Sequence, residues 1–126
     1  MAREIKLKRN INASPDEVYL AITSPFTIEL WTGLPATLEL IPGGDISMLD
    51  GGISGKIVEF EENKRLVQLW SFGEENEPSL VIINLEKEKN RTVMTVLQEN
   101  IPEEAYDNML EGWKDVIFKG LKDFFG

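Results

Sequence analysis

The sequence predicts an α+β fold in which a curved antiparallel sheet of seven strands wraps around one long C-terminal helix, with two short helices after strand 1. Three observations predict it. A strand of period two is followed at once by helix-start signals, an unbroken run of strands and turns extends from Ala36 to Asn100, and the last stretch carries apolar residues every three or four positions.

Glu4 to Ile11 alternates, with Ile5, Leu7 and Ile11 on one parity and Lys6, Lys8 and Asn10 on the other, as in a half-buried strand. Ser14-Pro15-Asp16-Glu17 then forms a helix start. Ser14 suits the cap, Pro15 has its φ preset for the first helical position, and Glu17 completes a capping box. Val18, Ala21 and Ile22 supply the apolar face. Ser24-Pro25 ends this helix and restarts a short second one through Phe26, Ile28 and Trp31, which Gly33 and Pro35 stop.

Strands are expected at Ala36–Ile41, Asp45–Leu49, Ile53–Phe60, Arg65–Phe72, Ser79–Glu86 and Arg91–Glu99. Pro42-Gly43-Gly44, Asp50-Gly51-Gly52, Glu61 to Lys64 and Lys89-Asn90 make the turns between them. Gly73 to Pro78 is acidic and irregular and reads as a mobile loop. Pro102 to Phe125 then carries Tyr106, Met109, Leu110, Trp113, Ile117, Leu121 and Phe124 on one face, with Glu103, Glu104, Asp107, Glu111 and Asp115 opposite. At about 1.5 Å per residue it runs roughly 34 Å, enough to cross a small sheet. Gly112 and Gly120 each cost it about 1 kcal/mol against alanine unless close packing requires them. A twisted sheet of seven strands curls and leaves a concave space that only this helix can cover. One domain, residues 1–126, is expected.

Composition narrows the chemistry. The chain has no cysteine and no histidine, which excludes disulfides, thiolate nucleophiles, histidine-based triads and the usual zinc and non-haem iron sites. No cofactor is expected. A formal net charge of −9 argues against nucleic acid, whose phosphates are bound by Lys and Arg. The charged stretch from Met1 to Asn10 has no apolar core of a signal peptide, and no window approaches a membrane span, so a cytoplasmic location is expected. Arg3, Lys6, Lys8 and Arg9 form one local basic stretch: either a solvated strand face or a docking patch for an acidic partner. Glu59, Glu61 and Glu62, and Glu74, Glu75 and Glu77, read as solvated surface, since neither cluster has an apolar run beside it to raise a pKa.

The space between sheet and helix is the candidate site, with Leu30, Trp31, Gln68, Trp70, Phe72, Met109, Trp113 and Ile117 as its candidate lining. Leu66, Gln68, Trp70 and Phe72 share one parity of their strand, while Val67, Leu69 and Ser71 share the other. The three tryptophans suit core packing, or a partly open pocket that leaves their N–H groups a partner. Gln68 among aromatics is either a satisfied polar core group or a ligand-orienting one, and the residues leave both open. Met48, Met94 and Met109 are gap fillers or soften a cavity wall.

Three stretches carry a family resemblance: Ile11-Asn12-Ala13-Ser14-Pro15-Asp16-Glu17-Val18-Tyr19 on to Leu30-Trp31; Asp50 to Lys56 with Asn63 to Trp70; and Asn100-Ile101-Pro102 with Glu111-Gly112-Trp113-Lys114 and Phe118 to Leu121. They resemble the C-terminal domain of activators of the 90-kDa heat-shock chaperone ATPase, in the START/birch-pollen-allergen superfamily. The resemblance implies the helix-grip fold. Three readings of function follow. The leading one is a non-enzymatic domain that buries a small apolar ligand in the cavity, worth about 25 cal/mol per Å². The alternative is a chaperone cofactor-like module acting through its charged surface. An enzyme of the cyclase or hydrolase type comes third, and would need a cluster of Tyr, Asp, Glu or Arg in the cavity that the sequence does not suggest.

Overall fold

The computed structural model describes residues 2–73 and 75–126; Met1, and Glu74 of the second glutamate cluster, lie outside the described residues. The chain forms β1 (Arg3–Ile11), α1 (Pro15–Thr23), α2 (Pro25–Thr32), β2 (Thr37–Leu38), β3 (Asp45–Met48), β4 (Ile53–Glu61), β5 (Arg65–Trp70), β6 (Ser79–Glu88) and β7 (Arg91–Ile101). A C-terminal helix follows. The seven strands make one antiparallel sheet in the order β1-β7-β6-β5-β4-β3-β2, so the chain's first strand closes one edge beside its last. The fold expected from the residues is the fold observed.

Local chemistry sets the starts of α1 and α2. The Glu17 carboxylate accepts from the Ser14 N–H at 3.2 Å and from its hydroxyl at 2.7 Å, holding the first turn of α1. Ser24 Oγ accepts from the Thr27 N–H at 3.4 Å at the start of α2, and Gly33 at φ 75° ends that helix. Thr92 Oγ1, itself buried, donates to the Ala13 carbonyl at 2.7 Å and ties the β1–α1 corner to β7.

Three strands are shorter than the residue pattern predicts; Asp45–Leu49 loses only its last residue, Leu49, which turns to φ 55°. The expected Ala36–Ile41 strand pairs only at Thr37–Leu38, because the Ile41 N–H turns back to the Glu39 carbonyl and Gly43 donates to Ile57. The Arg65–Phe72 strand ends at Trp70, as Gly73 enters the left-handed region at φ 97° two residues after the last bond to β4. At Gly55 the strands approach so closely that an added Cβ would sit 1.7 Å from the Leu69 carbonyl oxygen. A β-bulge between Ile57 and Glu59 leaves Val58 unpaired and reverses the parity of β4 beyond it. Ile57 opposes Gln68 on the concave face; past the bulge Phe60 opposes Leu66 on that same face, and Glu59 is turned outward opposite Val67.

The C-terminal helix is continuous but not uniform. It opens with a 3₁₀ turn at Glu103–Ala105, is α-helical at Tyr106–Glu111, widens to a π-helix at Gly112–Phe118 and closes as α-helix at Lys119–Phe125. It lies lengthwise along β1. Arg3 binds Glu103 at 3.0 Å and covers the Tyr106 ring, Arg9 lies 5.4 Å from the Phe118 ring, and Asn12 Nδ2 donates to the Gly126 carbonyl at 2.9 Å. Ile5, Ile11, Val18, Ile28, Met94, Trp113, Ile117 and Leu121 are among the side chains buried in a single core between helices and concave face. No helix among the described residues is long and apolar enough to cross a membrane.

Candidate functional site

The middle of the core is built around two tryptophans. Trp70 of β5 and Trp113 of the π segment stack with centroids 5.2 Å apart and planes 11° from parallel, and Phe118 lies 5.7 Å from the Trp113 ring. Both indoles are satisfied by glutamines. Trp70 Nε1 donates to Gln68 Oε1 at 2.8 Å, two residues away on the same strand face. Trp113 Nε1 donates to Gln98 Oε1 at 2.7 Å; Gln98 Nε2 donates to Ser79 Oγ at 3.0 Å, and that hydroxyl donates to the Glu99 carbonyl at 2.6 Å. This chain closes a buried polar path from helix to β7 to β6.

The space left between sheet and helix has a volume of about 20 Å³. That is room for one water, against the several hundred cubic ångströms of ordinary ligand pockets. Around it the structure brings together Trp31, Gln68, Trp70, Trp113 and Ile117 from the expected lining, with Ile22, Met48, Leu66, Ile83 and Met94. Leu30 does not join them. It is 57% exposed, because two residues of helix rotate it about 200° from the fully buried Ile28. Phe72, beyond the end of β5, and Met109, a turn before Trp113, are half-buried against the margin of the core rather than around this space. The added residues carried a sequence signal: Leu66 shares parity with Gln68 and Trp70, and Met48 and Met94 fall on inward positions of their strands. Trp31 is held at the edge of the space by its N–H, which donates to the Ala21 carbonyl at 2.8 Å, and its ring lies over Gly120. Among the described residues no three His, Cys, Asp or Glu groups could jointly hold a metal ion.

The outer face of the sheet is the second feature. One row across five strands reads Lys6, Leu97, Ile82, Val67, Glu59; the neighbouring row reads Glu99, Leu80, Leu69, Lys56, Asp45. Charged residues stand at the ends and five aliphatic residues at the centre. None of the five belongs to the core cluster, although Val67 is only 4% exposed and the other four are half-buried. An outer antiparallel face that meets only water carries mostly polar residues. Beside Leu69 the face deepens into a groove of about 450 Å³ bordered by Ser54, Lys56, Ser71, Asn76 and Pro78. The basic stretch of β1 is divided: Arg3 and Arg9 lie against the C-terminal helix, whereas Lys6 and Lys8 flank the outer rows beside Leu97 and Thr95.

The comparisons with known proteins agree with this architecture. Residues 12–126 match the family model described as Activator of Hsp90 ATPase homolog 1-like protein. The chain belongs to this family. It is 30% identical over 125 residues to the human Activator of 90 kDa heat shock protein ATPase homolog 1, covering 98% of this chain and 37% of that protein. The relative named as activator homolog in Dictyostelium discoideum is 25% identical over 126 residues, covering 98% of this chain and 33% of its own length. The chain thus spans about a third of the length of these relatives. Among solved structures, an HSP90 activator from Plasmodium falciparum superposes with a TM-score of 0.90 at 21% identity, over 98% of this chain and 96% of the other. CalU16 from Micromonospora echinospora superposes at 0.84 with 28% identity, over 98% and 74%. The first of these likenesses shows the fold alone.

Proposed function

We propose that this domain is a non-enzymatic protein-binding module of the chaperone-cofactor type, which docks its partner on the outer face of the sheet. The observation that carries the reading is the pair of outer rows, where Leu69, Leu80, Ile82 and Leu97 stand half-buried around a buried Val67 and outside the core cluster. Apolar centre with charged rim is the anatomy of a protein interface. The names of the human and Dictyostelium relatives support a 90-kDa heat-shock ATPase as the partner, and a cytoplasmic location belongs to the same reading. Calorimetric titration of this chain into such a chaperone, at low and at high salt, tests it. Binding that survives salt because its core is apolar is expected, and no heat at either salt would remove the reading.

A second reading keeps the interior as a site for a small apolar ligand lined by Trp31, Gln68, Trp70, Trp113 and Ile117. One observation favours it: the π segment Gly112–Phe118 lies directly over the space, and π-helical turns recur at functional sites. Such a ligand would have to displace this segment outward, since about 20 Å³ admits no metabolite. Melting curves with a panel of fatty acids and aromatic metabolites decide it, and a panel that leaves the midpoint unmoved ends it.

A further inference from the structure

Between α1 and the end of β4 lies a cleft of about 380 Å³, lined by Asp16, Tyr19, Leu20, Leu40, Phe60 and Glu62 with Thr23 and Asn63. Tyr19 is only 6% exposed, yet among the described residues its hydroxyl has no hydrogen-bond partner. A buried phenol without a partner has lost its water and gained nothing in return, which calls for an explanation. The rest of the cleft supplies one. Leu20 and Phe60 stay 56% and 37% exposed and form apolar walls, and Phe60 is there only because the β4 bulge brings it to this face opposite Leu66. Asp16 and Glu62 bring two carboxylates, and Thr23 has no hydroxyl proton to offer a ligand because it donates to the Tyr19 carbonyl at 2.7 Å.

A phenol oxygen, two carboxylates and aliphatic and aromatic walls together fit a cation on an apolar stem. We infer that this cleft receives an arginine side chain from a partner protein, its methylenes between Leu20, Leu40 and Phe60, its guanidinium donating to Tyr19, Asp16 and Glu62. Guanidinium offers five N–H donors in a plane and stacks on aromatic faces, so one group meets all three oxygens and the Phe60 ring. Charge complementarity commits the occupant: the chain carries −9 overall, and the cleft brings no Lys or Arg of its own. The site is separate from the outer sheet face and does not rest on the reading given for that face.

The test is an NMR titration of the full chain with acetyl-Leu-Arg-amide, with acetyl-Leu-citrulline-amide as its uncharged isostere and agmatine as the free guanidine. Saturable shifts at Tyr19, Thr23, Phe60 and Asn63 with the arginine peptide are expected, and none with citrulline. Glu62→Gln should weaken binding about tenfold and Tyr19→Phe about fivefold, the size of one charge-assisted and one neutral hydrogen bond. Tyr19→Phe removes only an unpartnered hydroxyl, so its fold is retained and the comparison is clean. Equal binding of the citrulline peptide, shifts centred elsewhere, or unchanged affinity in both variants would overturn the assignment. Agmatine binding as tightly as the peptide would overturn the protein origin of the arginine.

Discussion

Trp113 is buried to 1% exposure with its indole N–H on Gln98, and Gln98 is fully buried with its amide on Ser79. Replacing Gln98 by leucine keeps the bulk but strips the only acceptor from a buried indole N–H, while the Ser79 hydroxyl keeps its bond to Glu99, so a loss of about 1–3 kcal/mol is expected from urea unfolding. A loss below about 0.5 kcal/mol would mean that these bonds contribute nothing net. Tyr19 should behave in the opposite way. Tyr19→Phe removes an orphaned hydroxyl and is expected to be neutral or stabilising by up to about 1 kcal/mol. Burial first, and the Glu62 carboxylate second, raise the Tyr19 pKa above its ordinary 10.0. The folded chain therefore holds this proton more tightly than the unfolded one. Its contribution is present below pH 10.0 and declines as pH rises through the folded value, so wild type should lose stability in that alkaline window and Tyr19→Phe should lose less. Gln68 was legible as an inward polar residue on an aromatic strand face, and inward parity on β7 marks Gln98 in the same way. The unpartnered Tyr19 hydroxyl had no sequence signal, because it depends on what happens not to stand opposite it.

The two helix glycines separate packing from propensity. A Cβ on Gly120 would meet the Trp31 ring at 2.7 and 3.2 Å, whereas on Gly112 it would find only the Met109 methyl at 3.9 Å. Gly120→Ala must displace the Trp31 ring, which its hydrogen bond to Ala21 holds in place, and should cost about 1–3 kcal/mol. Gly112→Ala should stabilise by about 0.5–1 kcal/mol in the same assay, as helix propensity alone requires. Equal effects would show that Gly120 is not reserved for Trp31. The extent of this helix was readable from its apolar spacing, but its π segment was not, since one wide turn leaves the three-or-four spacing of Trp113, Ile117 and Leu121 intact. The strand ends at Leu38 and Trp70 are hidden in the sequence for a related reason. Leu40, Ile41 and Phe72 continue the apolar pattern, and only the turn hydrogen bonds after them end the pairing.

At the scale of the molecule, periodicity and element order specify a sheet gripping a helix, because one long amphipathic segment is the only element able to cover the concave face. Interior volume was beyond their reach. It is decided by two rings stacking 5.2 Å apart, a matter of rotamers and strand offset rather than of residue type. The parity of Val67 and Leu69 was visible, yet their alignment with Ile82, Leu97 and Leu80 needed the register. The docking proposed for the outside of the sheet rests on these rows. The most direct measurement is the affinity of wild type and of Ile82→Lys for a 90-kDa heat-shock chaperone, with thermal midpoints recorded for both. Ile82 is half-buried and outside the core, so the midpoint should move little while affinity falls at least about tenfold, as for a central interface residue. An Ile82→Lys chain that folds normally and binds as tightly as wild type would contradict docking on this face.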